Sequence, residues 1–139
     1  MGTTPAEAVR RLRGAMDNGE LDALVERHNL RLVTLFGSAS RDEPTAHDVD
    51  IAASGRPGTH FDIVDLVVDL MALTDSDDVD LLDLDRAGSV ARQHALVGEL
   101  LYESEPGVYA RELDRANMER MDTEWFRMLS LKLLVESLT

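Results

Sequence analysis

The chain has 139 residues, of which 27 are acidic and 14 basic, giving a net charge of −13, and 44% are hydrophobic. That length fits one compact unit with a real core and leaves no room for a separate substrate-binding domain, while the acidic balance repels extended phosphate backbones and argues against direct nucleic-acid binding. The absence of cysteine excludes a disulfide scaffold, a cysteine-based zinc site and a thiol nucleophile, and no stretch approaches the roughly 18 consecutive apolar residues of a membrane span.

The elements follow in chain order. MGTTPAEAVRRLRGAMD is an amphipathic helix pattern without an apolar signal core, so a cytoplasmic protein is expected. Thr4-Pro5-Ala6-Glu7 reads as a capping box with proline at the first helical position. Val9, Leu12 and Met16 then recur at helical spacing, and Arg10, Arg11 and Arg13 are assigned to the wet face. Gly19 interrupts, and a second short helix carrying Leu21, Leu24 and Val25 runs to about Asn29. Leu30 to Phe36 is rich in apolar and β-branched residues and stops at Gly37-Ser38, a strand feeding a glycine turn.

After a polar stretch, Asp48-Val49-Asp50-Ile51-Ala52-Ala53 alternates as a second strand, and residues 54–58 form a loop. Thr59 and Asp62 resemble a helix start, followed by the apolar stripe Ile63, Leu66, Val67, Leu70 and Met71. Residues 78–84 read as a third strand, and a helix from about Ser89 to Val97 stops at Gly98 as its C-cap. Leu100 to Tyr102 is a short fourth strand, and from about Val108 the chain is helical to near its end. Strands and helices in mixed order predict an α/β (α+β) fold around a small sheet. In the last helix Leu113, Met121, Trp125, Met128, Leu129 and Leu133 form a broad stripe, with Met118 beside it. Such a stripe packs onto the sheet or another helix, or serves as an adaptable partner surface.

The residues that carry chemistry fall on the strands and the turn between them. Glycine after a strand lets the backbone approach a phosphate closely, and Ser38 adds a hydroxyl donor. Residues two apart on a strand share a face, so Asp48 and Asp50 project together while Val49 and Ile51 turn to the core. Two carboxylates on one face repel unless a cation lies between them, and hard oxygen ligands suit Mg²⁺. A third carboxylate on a neighbouring strand, Asp80, completes a two-metal arrangement for phosphoryl-type transfer. A lone Gly-Ser is usually only a turn, and a lone Asp-x-Asp a solvated strand face. The order and spacing lift them above that reading: strand, Gly-Ser, nine residues, Asp-x-Asp on a strand, helix, Asp on a strand.

With these residues in place, the segment LFGSASRDEPTAHDVDIA resembles the signature of the polymerase-β-type nucleotidyltransferase superfamily. In length and C-terminal pattern the chain resembles the minimal, MNT-type members, and VDLLDL followed by a helix, a glycine and LLYE is similar to the rest of that domain. The resemblance covers about residues 20–104 well and the C-terminal helix more loosely. It implies one nucleotidyltransferase domain over 1–139, with a core at about 20–104 and a C-terminal helical segment at about 107–137: a small mixed β-sheet flanked by helices, with a long C-terminal helix.

The resemblance further implies that Gly37 and Ser38 hold the triphosphate of ATP, that Asp48 and Asp50 bind two Mg²⁺ ions, and that Asp80 binds the catalytic one and helps activate the acceptor hydroxyl. Asp83 is the alternative third carboxylate, but it falls on the opposite face by strand parity. The loop departs from the family pattern: it is one residue shorter, Arg41-Asp42 stands where Arg-Gly is usual, and His47 replaces a serine. His47 and Arg41 either reach a phosphate or remain solvated loop residues.

MNT-type proteins are similar to antitoxins of HEPN/MNT pairs, which neutralise a HEPN-type ribonuclease toxin by transferring AMP from ATP to a tyrosine on it. The expected function is therefore adenylyl transfer to a HEPN-type toxin partner, with homo-oligomerisation open. The rivals are a non-catalytic module that masks its partner and an adenylyltransferase acting on a small hydroxylated molecule.

Overall fold

The computed structural model describes residues 3–138. In chain order these form α1 Pro5–Asn18, α2 Glu20–His28, β1 Leu30–Phe36, the single-turn α3 Gly37–Ser40, β2 Val49–Gly55, α4 Ile63–Thr74, β3 Val79–Asp83, α5 Ser89–Leu96, β4 Glu99–Glu103 and α6 Val108–Ser137. The sheet has the order β3-β2-β1-β4. β1 pairs antiparallel with β2 and with β4, whereas β2 and β3 run parallel. This is the mixed sheet and helix set expected of the nucleotidyltransferase fold.

Local chemistry accounts for most boundaries. Thr4 Oγ1 accepts the Glu7 N–H at 3.2 Å while the Glu7 carboxylate accepts the Thr4 N–H at 3.4 Å, so the capping box closes over Pro5. Asp62 caps α4 by accepting the Asp65 N–H at 3.0 Å. β2 begins at Val49 rather than Asp48, because pairing with the third strand starts where Val49 N–H donates to the Asp78 carbonyl at 2.8 Å. Gly98 is not the left-handed cap that the sequence suggests: Val97 caps α5 in a right-handed conformation. A Cβ at position 98 would collide with the Leu35 carbonyl, so the glycine is needed for a close approach to β1.

The sheet is buried on both faces. On one side α1, α2 and α4 supply Leu12, Leu21, Leu66 and Leu70, which meet Val33, Leu35, Val49 and Ile51. On the other, α5 and α6 supply Ala95, Leu96, Val108 and Ala116, which meet Leu32, Ala52 and Leu84. Strict alternation would place Leu30 with Leu32. The irregular register between them lets Leu30 join Val33 and Leu35 instead.

Two expectations change. Arg13 is not on a wet face, because its guanidinium bonds Glu99 on β4 at 2.8 and 3.1 Å and so ties the first helix to the last strand. The C-terminal stripe packs only at its start. Leu113 leans on the second core cluster, but Met118, Met121, Trp125, Met128 and Leu133 are 57–70% exposed, because α6 runs past the end of the surface it packs on. Among the described residues no helix is long and apolar enough to cross a membrane.

Candidate active site

The chemistry-bearing residues gather where β1 ends and β2 begins. Phe36, the last residue of β1, is the register partner of Asp50, and Asp50 is in turn the register partner of Asp80 on β3. Parity then matters. Val49 and Ile51 point to the α1/α2/α4 core, so Asp50 points to the face covered by α5 and α6. A cleft of about 230 Å³ lies there, lined by Phe36, Asp50, Asp80, Leu81 and Leu82.

Asp50 is half-buried, whereas Asp48 and Asp80 are exposed. Burial first, then the Asp80 and Asp48 carboxylates, push the Asp50 carboxyl above its ordinary range, and the one opposing influence is His94. Asp48 and Asp80 thus both lie within electrostatic reach of Asp50. Asp83 is elsewhere: it is buried, pairs with His60 at 2.9 Å and Arg86 at 3.8 Å, and accepts the Asp85 N–H at 3.0 Å. Its bonds fix the loop after β3.

The turn beside the acids is built for close approach. Gly37 has φ +77°, a conformation that side chains rarely adopt, and a Cβ there would collide with the Asp50 carboxylate. The glycine thus lets the turn lie directly against the acid. Ser40 Oγ donates to the Gly37 carbonyl at 2.6 Å and tightens the turn, while the Ser38 carbonyl accepts from Arg41 and Glu43 at 3.1 and 3.2 Å. The half-buried Ser38 hydroxyl takes no part in these bonds. Arg41 donates Nε to Glu43 at 2.9 Å and His47 is exposed next to Asp48.

A second cleft, of about 170 Å³, opens on the other side of Phe36. It is lined by Gly37, Ser40, Arg41, His94 and Gly98 among others. His94 was not singled out from the sequence, because a lone histidine on a short helix carries no signal of its own. A cavity of about 540 Å³ at the opposite end of the sheet, among Arg31, Arg56 and Arg111, holds none of the predicted residues.

Among the described residues no three His, Asp or Glu side chains converge as a ready-made metal cage. The donor chemistry nevertheless fits Mg²⁺. That ion needs only one or two carboxylates and completes its shell with water and substrate phosphates. Asp50 carries a charge that its surroundings disfavour and that a cation would relieve.

Comparison with known proteins gives the family and the fold. The family model described as "Polymerase beta, Nucleotidyltransferase" matches residues 20–106. Comparison with curated proteins gives no match. Among solved structures, the chain is similar to one from a crystal structure of the toxin–antitoxin MntA–HpeT, with 22% identity over 84% of this chain and 97% of that one and a TM-score of 0.65. A toxin–antitoxin with AMP-PNP gives 24% identity over 84% and 97% of the two chains and a TM-score of 0.64. A tri-AMPylated Shewanella oneidensis HEPN toxin in complex with MNT antitoxin gives 22% identity over 88% and 98%, with a TM-score of 0.62. At these identities the likeness is one of fold.

Proposed function

The chain belongs to the polymerase beta nucleotidyltransferase family, and from that premise we propose that it is a Mg²⁺-dependent adenylyltransferase. It moves AMP from ATP to a hydroxyl, a tyrosine of a HEPN-type toxin, and so acts in the cytoplasm as the antitoxin. The observation that carries this reading is the register pairing of Asp50 with Asp80, with Asp48 in electrostatic reach, directly against the Gly37 turn. The AMP-PNP structure and the tri-AMPylated toxin complex support the nucleotide and the acceptor through likeness of fold.

In this reading Asp48 and Asp50 would hold Mg²⁺, and Asp80 would join them as the third carboxylate. When bound, Mg²⁺ neutralises phosphate charge and lowers the pKa of the attacking hydroxyl. Gly37 and Ser38 receive the triphosphate through backbone N–H groups and the uncommitted Ser38 hydroxyl. The acceptor oxygen bonds to the α-phosphorus while the bond from that phosphorus to the bridging oxygen breaks. Pyrophosphate leaves with the electron pair, and Asp80 takes up the hydroxyl proton. The chain's own contribution is position and charge, which is most of what phosphoryl-type transfer requires.

Calorimetry of ATP binding with and without Mg²⁺ tests the reading, comparing the wild type with Asp48→Ala/Asp50→Ala. Binding should need both the metal and the carboxylates. No binding by the folded wild type at millimolar ATP would refute it.

The exposed apolar residues of α6 favour one second reading, in which the chain masks its partner without turnover. Asp48→Ala separates the two. Under the enzymatic reading it abolishes protection from the toxin and leaves the complex intact, whereas under masking, protection is unchanged.

A further inference from the structure

α5 is locked against the sheet at its C-terminal end. Thr34 Oγ1, buried on β1, donates to the Ala95 carbonyl at 3.0 Å. The Tyr109 hydroxyl donates to the Leu96 carbonyl at 2.6 Å and lies 3.3 Å from that of Gly98. Gly98 itself comes so close to the Leu35 carbonyl that no larger residue fits. These three anchors fix the last turn of α5 over the end of β1, and they suspend His94 above the Gly37 turn.

His94 has no partner of its own there. His28 and His60 are bound to Asp69 and Asp83, at 2.6 and 2.9 Å. The exposed His94 ring meets Phe36 edge to face at 5.8 Å, and no hydrogen bond to its nitrogens occurs among the described residues. The imidazole therefore lines the 170 Å³ cleft beside Arg41 with its polar atoms free. A helix C-terminus would ordinarily repel an anion through its unsatisfied carbonyls. Here the hydroxyls of Thr34 and Tyr109 have already engaged the Ala95 and Leu96 carbonyls, so this one is quieted.

We propose that His94 is a nucleotide-contacting residue that donates an N–H to the β- or γ-phosphate of ATP, and that it makes the site discriminate a triphosphate from AMP. This rests on the adenylyltransferase reading and goes beyond it, because His94 lies outside both the Gly-Ser turn and the carboxylate set. An imidazole offers at least one N–H donor in either protonation state, so the contact does not depend on its charge. The ring lines one cleft with Gly37, the residue whose backbone lies directly against the Asp50 carboxylate. By contacting the departing pyrophosphate, it acts on the charge that grows as the bridging bond breaks.

The test is calorimetry of Mg²⁺-AMP-PNP and of AMP on the wild type, His94→Ala and His94→Gln. Loss of one hydrogen bond to a charged group corresponds to roughly tenfold weaker AMP-PNP binding. His94→Ala should show that loss with AMP binding unchanged, and His94→Gln, which keeps a donor, should recover most of it. AMP-PNP affinity unchanged in His94→Ala overturns the proposal. So does a parallel loss for AMP, since that would report a structural role. If the folded wild type fails to bind Mg²⁺-AMP-PNP at all, the adenylyltransferase reading falls and the proposal with it.

Discussion

Asp50 and Asp80 are register partners at one end of the sheet, with Asp48 just before β2 and His94 as the one compensating influence on Asp50. Glu112, on the buried face of α6, is instead surrounded by cations: Arg31 at 3.2 Å, Arg115 at 3.7 Å and Arg92 in direct contact. Asp50 and Glu112 are both drawn in from water, yet only Glu112 is surrounded by opposite charge. Where the fold supplies the counter-charge, the carboxylate knits β1, α5 and α6 together. Where it does not, burial and the neighbouring carboxylates push the Asp50 carboxyl above its ordinary range.

Substitutions should break this contrast in order of size. Glu112→Ala leaves three guanidiniums without their shared partner, and loss of one member of a buried ion cluster costs about 3–5 kcal/mol. Urea denaturation should show the midpoint falling accordingly, and an unchanged midpoint would mean that the arginines find other partners. Asp83→Ala removes the bonds to His60 and the Asp85 N–H, with an expected cost of about 1–3 kcal/mol and no loss of Mg²⁺-ATP binding. Asp80→Ala should do the reverse, keeping stability while losing binding. If Asp83→Ala lost binding while Asp80→Ala kept it, the third carboxylate would be Asp83 after all.

The smallest effect has the opposite sign. Because the folded state raises the Asp50 carboxyl above its ordinary 3.8, its contribution is favourable below that value and is lost as pH rises through the raised one. At pH 7 the ionised group is therefore a liability, and Asp50→Asn should melt slightly higher than the wild type in the absence of metal. The gain should vanish as the pH is brought down to 3.8. An Asp50→Asn protein that melts lower at pH 7 would show that its hydrogen bonding, not its charge, dominates.

Much of this was legible in the sequence, where a residue's meaning is local. Thr4 and Glu7 announce a cap because both partners lie within one turn. The pairing of Asp48 with Asp50 is read from parity within one segment, whereas Asp80 comes from the family pattern of its strand. Gly98 was misjudged because a glycine after a helix usually ends it, and its actual reason, a β1 carbonyl, lies 63 residues away in sequence. Arg13 was taken as solvated because nothing near it in sequence points to Glu99. His94 was missed for the same reason: its significance comes from Thr34, Tyr109 and Phe36, three distant positions. The C-terminal stripe was visible as a pattern, but a helix that packs and one that extends beyond its support have the same period.

The distal half of α6 has an optical consequence. Trp125 is the sole tryptophan of the chain and stands 61% exposed, its ring edge-on to Phe126 at 5.6 Å. Excited at the red edge, where tyrosine does not absorb, the free protein should therefore fluoresce as a single water-bathed indole. Whatever settles on this stretch of helix, a toxin or a second copy, will dry that one ring and shift its emission to the blue. Titration in a cuvette, with no label attached, would then follow assembly, and the chain becomes the reporter of its own partnership.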